Sequence, residues 1–231
     1  MTNATDSLLT TPAPEVTHSR SVMIYTRYER FWHWSQALLI FFLIFTGFVV
    51  HGTFGLMSFG TAVTWHTTAG LTLSLLWLFT IFWQLTTGQW HHYAPRRAGV
   101  FAMIKYYSWG ILSGAPHPFH KTLKRKQNPL QTWAYLWFVL GVGPALWASG
   151  FAYLLYPVWA KTFPALGLGL VAFVHTAAAF CVVVFVIAHV YIATTGKTPG
   201  DYIKTMITGY DDIEVDAVEE TFLETHHGHI R

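Results

Sequence analysis

Residues 167–194 form an apolar stretch, GLGLVAFVHTAAAFCVVVFVIAHVYIAT, that constrains the fold more than any other part of the chain. The stretch is long enough to cross a bilayer as one α-helix, since about 20 apolar residues suffice. It also carries two histidines, His175 and His189, fourteen residues apart. On an α-helix that spacing brings both imidazoles close to one face, about 21 Å apart along the axis. One histidine is therefore expected near each surface of a hydrocarbon core about 30 Å thick.

The pair of histidines admits two interpretations. A single histidine inside a membrane helix can be a hydrogen-bonded packing residue, yet ionisable groups at that depth are costly and mark functional sites. Neutral imidazole is also a very common metal ligand. Two imidazoles on one face, at two depths, therefore predict axial ligands for two stacked haems. The single cysteine, Cys181, excludes a C-x-x-C-H attachment, so such haems would be held non-covalently.

The rest of the sequence predicts an all-α integral membrane protein, a four-transmembrane-helix bundle. Hydrophobic residues make up 53% of the chain and charged residues only 11%, which suits a single membrane domain rather than a soluble one. Three further apolar segments accompany the first, at residues 31–50, 64–87 and 130–155. Residues 24–208 are therefore the predicted membrane domain.

Both ends of the chain are predicted to be tails. Residues 1–23 are largely polar and aperiodic, which is typical of a disordered segment, and they lack the features of a signal peptide. Residues 209–231 are rich in Asp and Glu and end in a histidine cluster, HHGH. A short amphipathic helix is expected between the fourth apolar segment and this acidic tail.

The distribution of basic residues predicts the orientation in the membrane. Lys and Arg cluster before the first apolar segment, in the long connection at residues 88–129 and after the fourth segment, whereas the other two connections are almost uncharged. Because cytoplasmic loops carry the excess of Lys and Arg, both termini are expected in the cytoplasm. The sequence thus predicts a multi-pass protein of the bacterial inner membrane, in contact with lipid and not with nucleic acid.

This orientation places four histidines at two depths. His33 lies near the cytoplasmic start of the first helix, at the level of His189. His66 lies near the outer start of the second helix, at the level of His175. Ligation of each metal by two histidines of one level therefore pairs His33 with His189 for an inner haem, and His66 with His175 for an outer haem.

His51 is an alternative outer ligand. It follows His33 by eighteen residues, or five helical turns, and so faces the same way at the outer edge. His66 is favoured because Gly70, one turn later, would let a porphyrin approach the helix, whereas His51 begins a loop. If His66 is the ligand, His51 is an interfacial residue or faces a partner subunit.

Arg30 precedes His33 by three residues and shares its helix face. One interpretation is a salt bridge from Arg30 to the propionates of the inner haem, since guanidinium groups bind carboxylates strongly. The other is that Arg30 only marks the cytoplasmic side of the membrane. The sequence leaves both interpretations open.

Three motifs carry a resemblance to a known family. They are RFWHW at residues 30–34, the H-x-x-x-G of His66 and Gly70, and FVHTAAAF with AHVY in the fourth helix. Over about residues 24–210 the chain resembles the di-haem cytochrome b subunit of membrane-bound formate dehydrogenases, the gamma subunit. The same family includes the cytochrome b subunits of nickel–iron hydrogenases and thiosulfate reductases.

The resemblance implies two haems b, one outer and one inner, each with two histidine ligands. It also implies a pocket beside the inner haem for a quinone substrate, menaquinone or ubiquinone, lined by Asn128 of KQNPLQ, with Gln131 nearby. Asn-Pro equally favours a turn or a helix cap at this position. An extracytoplasmic partner subunit with iron–sulfur clusters or c-type haems is implied as well.

Together these features predict a membrane-anchoring subunit of a respiratory oxidoreductase complex. Electrons would pass between the extracytoplasmic partner and the membrane quinone pool through the two haems, with the quinone site near the cytoplasmic side. Two alternatives stay open. One is a stand-alone di-haem quinone reductase that acts on superoxide or another small electron donor. The other is a structural or transport bundle whose histidines only pack.

Overall fold

The computed structural model describes residues 18–95, 97–119, 126–163, 167–196 and 198–215, together with 221 and 225. Its elements are, in chain order, β1 (His18–Met23), α1 (Arg27–Val50), α2 (Phe59–Thr87), α3 (Val100–Lys105), α4 (Pro129–Trp137), α5 (Gly143–Leu154), α6 (Tyr156–Trp159), α7 (Leu168–Ala193), α8 (Asp201–Thr208) and β2 (Tyr210–Val215). A 3₁₀ turn follows α2 at Gln89–Tyr93, and π-helical turns follow α3 at Tyr106–Gly110 and α4 at Phe138–Val142.

Four helical segments are long and apolar enough to cross a membrane. They are Arg27–Val50, Phe59–Thr87, Pro129–Leu154 and Leu168–Ala193. Large apolar side chains such as Leu38, Phe82 and Val184 stand more than half exposed on their outer faces, as lipid contact requires. The predicted all-α architecture of four membrane helices is confirmed.

The third span changes its hydrogen-bonding pattern near its middle. The N–H of Gly143 donates to the carbonyl of Phe138, five residues earlier, just before Pro144, which has no N–H to donate. Turns of this kind occur mostly as single interruptions of α-helices, often at functional sites. The ring of Phe138 packs on Phe185 of α7 at a centroid distance of 4.1 Å. The irregular turn thus lies against α7, one helical turn before His189.

Polar caps determine where the membrane helices begin. The Thr26 hydroxyl accepts from the N–H of Glu29, whose carboxylate accepts from the N–H of Thr26 in return. Asn128 and Gln131 form the same reciprocal arrangement at the start of α4. The hydroxyl of Ser58 caps α2. Each such cap stabilises its helix by about 1 kcal/mol.

A buried ion pair connects the start of α1 to the segment before α4. The Nζ atom of Lys126 lies 2.9 Å from Oε1 and 3.1 Å from Oε2 of Glu29. Their side chains are only 10% and 6% exposed, so removal of one partner would leave an uncompensated charge, at a cost of about 3–5 kcal/mol. The pair therefore stabilises the end of the bundle that carries β1 and β2, which the sequence predicts to be the inner end.

The prediction of a disordered N-terminal tail is wrong for residues 18–23, which form a strand, and the predicted acidic tail also contains a strand. β1 lies inside the predicted tail of residues 1–23, and β2 lies inside the predicted tail of residues 209–231. The two strands pair antiparallel as a two-stranded sheet. Residues 1–17 of the first tail, and residues 216–231 of the second except 221 and 225, lie outside the described residues.

The sheet forms because the two segments bury an apolar cluster together. Val22, Ile24, Ile213 and Val215 are each at most 5% exposed, and Tyr25 packs against them. Each segment offers only two of these side chains and finds its partner at the other end of the sequence. Neither segment alone therefore shows enough apolar alternation to predict a strand.

Candidate functional site

The membrane helices pack as two close pairs with a cavity between them. α1 packs along α2, and α5 packs along α7. The cavity has a volume of about 1790 Å³ and a mainly apolar lining from all four spans. That volume exceeds the roughly 300–1,000 Å³ of a pocket for one small ligand. The space is therefore large enough for more than one bulky group.

The inner pair of histidines faces across this cavity. The rings of His33 on α1 and His189 on α7 lie with their centroids 6.0 Å apart, at an angle of 48°. His189 also stacks on Phe185 of its own helix, with the two rings nearly parallel. Among the described residues, the buried Nδ1 atom of His33 has no hydrogen-bond partner.

The outer pair of histidines has the same arrangement, and a hydrogen bond holds each of its two rings. The ring centroids of His66 on α2 and His175 on α7 are 6.2 Å apart, at an angle of 71°. The Nδ1 atom of His66 lies 2.9 Å from the Thr46 hydroxyl. The Nδ1 atom of His175 lies 2.9 Å from the Ser149 hydroxyl. Both outer rings are thus held through their Nδ1 atoms, which leaves Nε2 as the free nitrogen of each.

His51, the alternative outer ligand, is engaged elsewhere. It ends α1, and its Nε2 atom lies 3.3 Å from the hydroxyl of Thr176 on α7. The ring that faces His175 at 6.2 Å is that of His66. The geometry therefore favours the pair of His66 and His175 that the sequence predicts, and His51 lies at the outer mouth of the cavity.

The spacing of both pairs fits a metal bound between two imidazoles. A metal ion about 2.0 Å from one nitrogen of each of two opposed rings places their centroids about 6 Å apart. No third His, Cys, Asp or Glu joins either pair among the described residues, so a bare ion would have only two protein ligands. A planar tetrapyrrole supplies four more nitrogens and needs exactly such axial ligands from two sides. The residues present therefore fit haem.

Two glycines that were not predicted site residues lie beside the outer rings. A Cβ atom at Gly47 would lie 3.5 Å from Cε1 of His66, and one at Gly150 would lie 3.6 Å from Cε1 of His175. Both glycines line the cavity. A signal for the first exists in the sequence, since Gly47 follows His33 by fourteen residues, the same spacing as that of the two histidines of α7.

Arg30 binds the polypeptide itself in this structure. Its Nη1 atom donates to the carbonyl of Ile207 at 2.7 Å, near the end of α8. Beside it, the indole N–H of Trp34 donates to the carbonyl of Met206. The Nε atom of Arg30 is buried beside Gly209 and has no hydrogen-bond partner among the described residues, and Arg30 does not line the cavity. Arg30 thus fastens α8 to α1 and keeps one donor free.

Asn128 serves first as the cap of α4. Its Oδ1 atom accepts from the N–H of Gln131 at 2.8 Å, and its Nδ2 atom donates to the hydroxyl of Tyr107 at 3.1 Å. Tyr107 lines the cavity and was not a predicted site residue. Burial, with smaller contributions from the neighbouring Tyr202 and Tyr106, raises the pKa of Tyr107 to about 12. The Tyr107 oxygen accepts from Asn128, so its own hydroxyl proton can be donated into the cavity.

Unpaired polar atoms concentrate at the inner end of the bundle. Within the described part of the chain, six buried side-chain atoms lack a hydrogen-bond partner: Arg30 Nε, Trp32 Nε1, His33 Nδ1, Gln36 Oε1, Gln84 Oε1 and Gln127 Oε1. All six belong to the start of α1, the end of α2 or the residues just before α4. Since buried polar groups normally have partners, their number at one end indicates a polar ligand there.

The sequence is similar to known proteins over most of its length. Residues 24–209 match the family described as prokaryotic cytochrome b561. The chain is 33% identical over 198 residues to a protein of Escherichia coli (strain K12) named as the candidate cytochrome YdhU, and the match covers 84% of this chain and 76% of that protein. No solved structure matches the chain significantly.

Proposed function

The chain belongs to the prokaryotic cytochrome b561 family, and from this premise we propose that it is the membrane-anchoring di-haem subunit of a respiratory oxidoreductase complex. Membership of the family makes it a multi-pass protein of the inner membrane that transfers electrons through haem b. The proposal itself concerns the number of haems, their ligands, the quinone and the partner subunit.

The observation that carries the proposal is the presence of two facing histidine pairs at two depths of one cavity. His33 and His189 would hold an inner haem b, and His66 and His175 an outer one, each through two imidazole nitrogens. A bound haem supplies one-electron oxidation and reduction. The chain contributes the axial ligands, the fixed separation of the two sites and an apolar wall that keeps water away from them.

The inner end of the cavity is the proposed binding site for a membrane quinone. Its unpaired amide oxygens, from Gln36, Gln84 and Gln127, can accept hydrogen bonds from the hydroxyls of a quinol. The phenol of Tyr107, positioned by Asn128, can donate to a quinone carbonyl. In this proposal Asn128 acts in the pocket through Tyr107, since its own amide already caps α4.

The unpaired donors at the same end suit the carboxylates of the inner haem. Trp32 Nε1 and Arg30 Nε are buried N–H groups with no acceptor among the described residues. Propionates are acceptors, and a charge-assisted bond from a guanidinium is about twice as strong as a neutral one. Trp32 lines the cavity, whereas Arg30 does not and lies against Gly209 and the carbonyl of Ile207, so the role of Arg30 at the propionates stays a prediction.

The topology completes the proposed path. With the Lys- and Arg-rich connections in the cytoplasm, both termini and the inner haem face the cytoplasmic side. The outer haem then lies near the extracytoplasmic surface, where a partner subunit with iron–sulfur clusters or c-type haems would exchange electrons with it. Electrons would thus pass between that partner and the quinone, which is menaquinone or ubiquinone.

The experiment that tests the proposal is a haem analysis of the purified full-length chain. A pyridine haemochrome assay, with a reduced-minus-oxidised spectrum, is expected to give b-type haem at two equivalents per chain, because the cavity presents two imidazole pairs. A colourless protein would overturn the proposal and return the histidines to a packing role. A single equivalent would limit it to one site.

Tyr107→Phe tests the quinone site. Loss of one neutral hydrogen bond is expected to raise KM for a quinol analogue about 2- to 10-fold, while the haem spectrum stays unchanged. Tyr106→Phe is the matched control, because Tyr106 is the neighbouring phenol but does not line the cavity. Quinol kinetics in proteoliposomes provide the measurement. Equal KM values for the wild type and Tyr107→Phe would place the quinone elsewhere.

A further inference from the structure

Each imidazole of the outer pair is bonded to the hydroxyl of a neighbouring helix. We call these two hydroxyl residues, Thr46 of α1 and Ser149 of α5, the outer hydroxyl pair. Thr46 Oγ1 lies 2.9 Å from His66 Nδ1, and Ser149 Oγ lies 2.9 Å from His175 Nδ1. Thr46 is fully buried and Ser149 is 6% exposed, so water does not compete for either bond.

The direction of these bonds follows from the backbone around them. Thr46 Oγ1 lies 2.9 Å from the carbonyl oxygen of Phe42, and Ser149 Oγ lies 2.6 Å from that of Ala145. A carbonyl oxygen only accepts, so a hydroxyl that donates its single proton to the carbonyl offers only lone pairs to the imidazole. The hydroxyl oxygen is then left to accept from the imidazole N–H.

With each hydroxyl as the acceptor, the tautomer of both rings follows. His66 and His175 carry their protons on Nδ1, and their Nε2 lone pairs are free for a metal. Partners of this kind orient metal-bound histidines and raise their basicity. A more basic axial ligand stabilises the oxidised iron, and this lowers the reduction potential.

The two hydroxyls occur in matching local sequences. Thr46-Gly47-Phe48 lies on α1, and Ser149-Gly150-Phe151 lies on α5. In both, the hydroxyl bonds the ring of the adjacent helix, and the glycine beside it leaves space against Cε1 of the same ring. The outer site is thus built twice from one pattern, once in each helix pair.

The inner pair lacks this arrangement at one of its rings. The Nδ1 atom of His33 is buried without a hydrogen-bond partner in the described part of the chain. Among the described residues, a hydroxyl bond to both rings of a facing histidine pair therefore occurs at the outer pair and not at the inner pair. Such bonds are not a general requirement for a histidine in this bundle.

We propose that Thr46 and Ser149 are positioning residues of the outer haem, which act through His66 and His175 and lower the midpoint potential of that haem. This inference rests on the proposed function, since it assumes that the outer pair binds haem. It adds that the protein sets the midpoint potentials of the two haems separately, because, among the described residues, these hydroxyl bonds are made only to the outer histidines. Neither hydroxyl touches the iron.

The test compares variants that remove or keep each hydroxyl in the full-length chain. Thr46→Val and Ser149→Ala remove a hydroxyl with little change in volume, whereas Thr46→Ser and Ser149→Thr keep it. Redox titration followed by visible spectra, with electron paramagnetic resonance of the oxidised protein, gives both midpoints and the ligand-field signature. Thr72→Val is the control, because the Thr72 hydroxyl bonds only its own helix, at the Thr68 carbonyl, and stands exposed.

We expect one of the two midpoints to shift to a more positive potential in Thr46→Val and in Ser149→Ala. The shift should be larger in the double variant and absent in Thr46→Ser and Thr72→Val. Loss of one haem in Thr46→Val with recovery in Thr46→Ser would equally support a role of the hydroxyl in orienting the ring. If Thr46→Ser also lost one haem, the proposal would be overturned, because the site would then require the methyl group of Thr46 and not its hydroxyl.

Two further outcomes separate this inference from the proposed function. Two haems with unchanged midpoints in Thr46→Val and Ser149→Ala would overturn the inference and leave the di-haem function intact. A wild-type chain without haem would overturn both. A shift of both midpoints by equal amounts would also contradict it, because the hydroxyls contact only the outer rings.

Discussion

Replacement of His189 by alanine is expected to remove one of the two haems and to leave the other bound. The ring of His189 faces His33 at a centroid distance of 6.0 Å, so its loss leaves the inner site with a single imidazole. The outer pair lies about 21 Å away along α7 and keeps both ligands. The pyridine haemochrome content should therefore fall by half, and one of the two redox transitions should disappear.

The matched control for this variant is His91→Ala. The His91 ring is exposed, lies in the 3₁₀ turn after α2, and bonds the carbonyl of Gly88. Its removal should leave the haem content unchanged. If the haem content of His189→Ala equalled that of the wild type, then α7 would be an ordinary membrane helix at this depth and the inner site would be wrong.

His66→Ala is expected to abolish the outer site, whereas His51→Ala is not. Both histidines lie towards the outer ends of their helices, but the ring of His66 faces His175, and His51 instead contacts Thr176. His66→Ala should therefore lose the haem whose midpoint responds to Thr46→Val. Electron exchange from the outer surface should fall to background, because the remaining inner haem lies too deep to be reached directly.

The comparison of His66→Ala with His51→Ala also decides between the two ligand sets that the sequence allows. Haem content and the rate of reduction by a membrane-impermeant donor in oriented proteoliposomes give the answer. Loss of the outer haem in His51→Ala, with retention in His66→Ala, would reverse the assignment. Loss in neither would mean that neither His51 nor His66 is required for the outer haem.

The spans and the proximity of the histidines could be predicted from the sequence. Apolar length determines the membrane helices, and the fourteen-residue spacing in α7 determines two depths. The structure brings together the same two histidine pairs that spacing and orientation predict, although haem ligation itself stays a prediction. Periodicity and depth are properties of single helices, so they can be predicted from the sequence of each helix.

Contacts between helices could not be predicted in this way. The bonds from Thr46 to His66 and from Ser149 to His175 join residues on different helices, and their formation depends on helix rotation. Threonine in a membrane helix commonly bonds its own backbone, as Thr72 does, so residue type gives no signal. Tyr107 could not be predicted for the same reason, because it lines the cavity from outside the four spans.

Asn128 illustrates a residue whose two predicted roles are compatible. The Asn-Pro pair favours a helix cap, and the family resemblance implies a pocket residue. The structure shows the cap, with Gln131 in the reciprocal position, and it also places the Asn128 amide on Tyr107. A short-range pattern therefore predicted the cap, while the contact with Tyr107 required the folded connection between α3 and α4.

The pairing of β1 with β2 imposes an order of assembly on the protein. β1 leaves the ribosome before the four spans, and β2 is made after them, because the two strands flank all four. At about 5–20 residues per second, β1 waits roughly 10–40 s for its partner. A lone strand keeps an open edge that invites wrong pairing, so an incomplete chain is exposed to chaperones and proteases. Closure of this sheet thus requires that all four spans have been made.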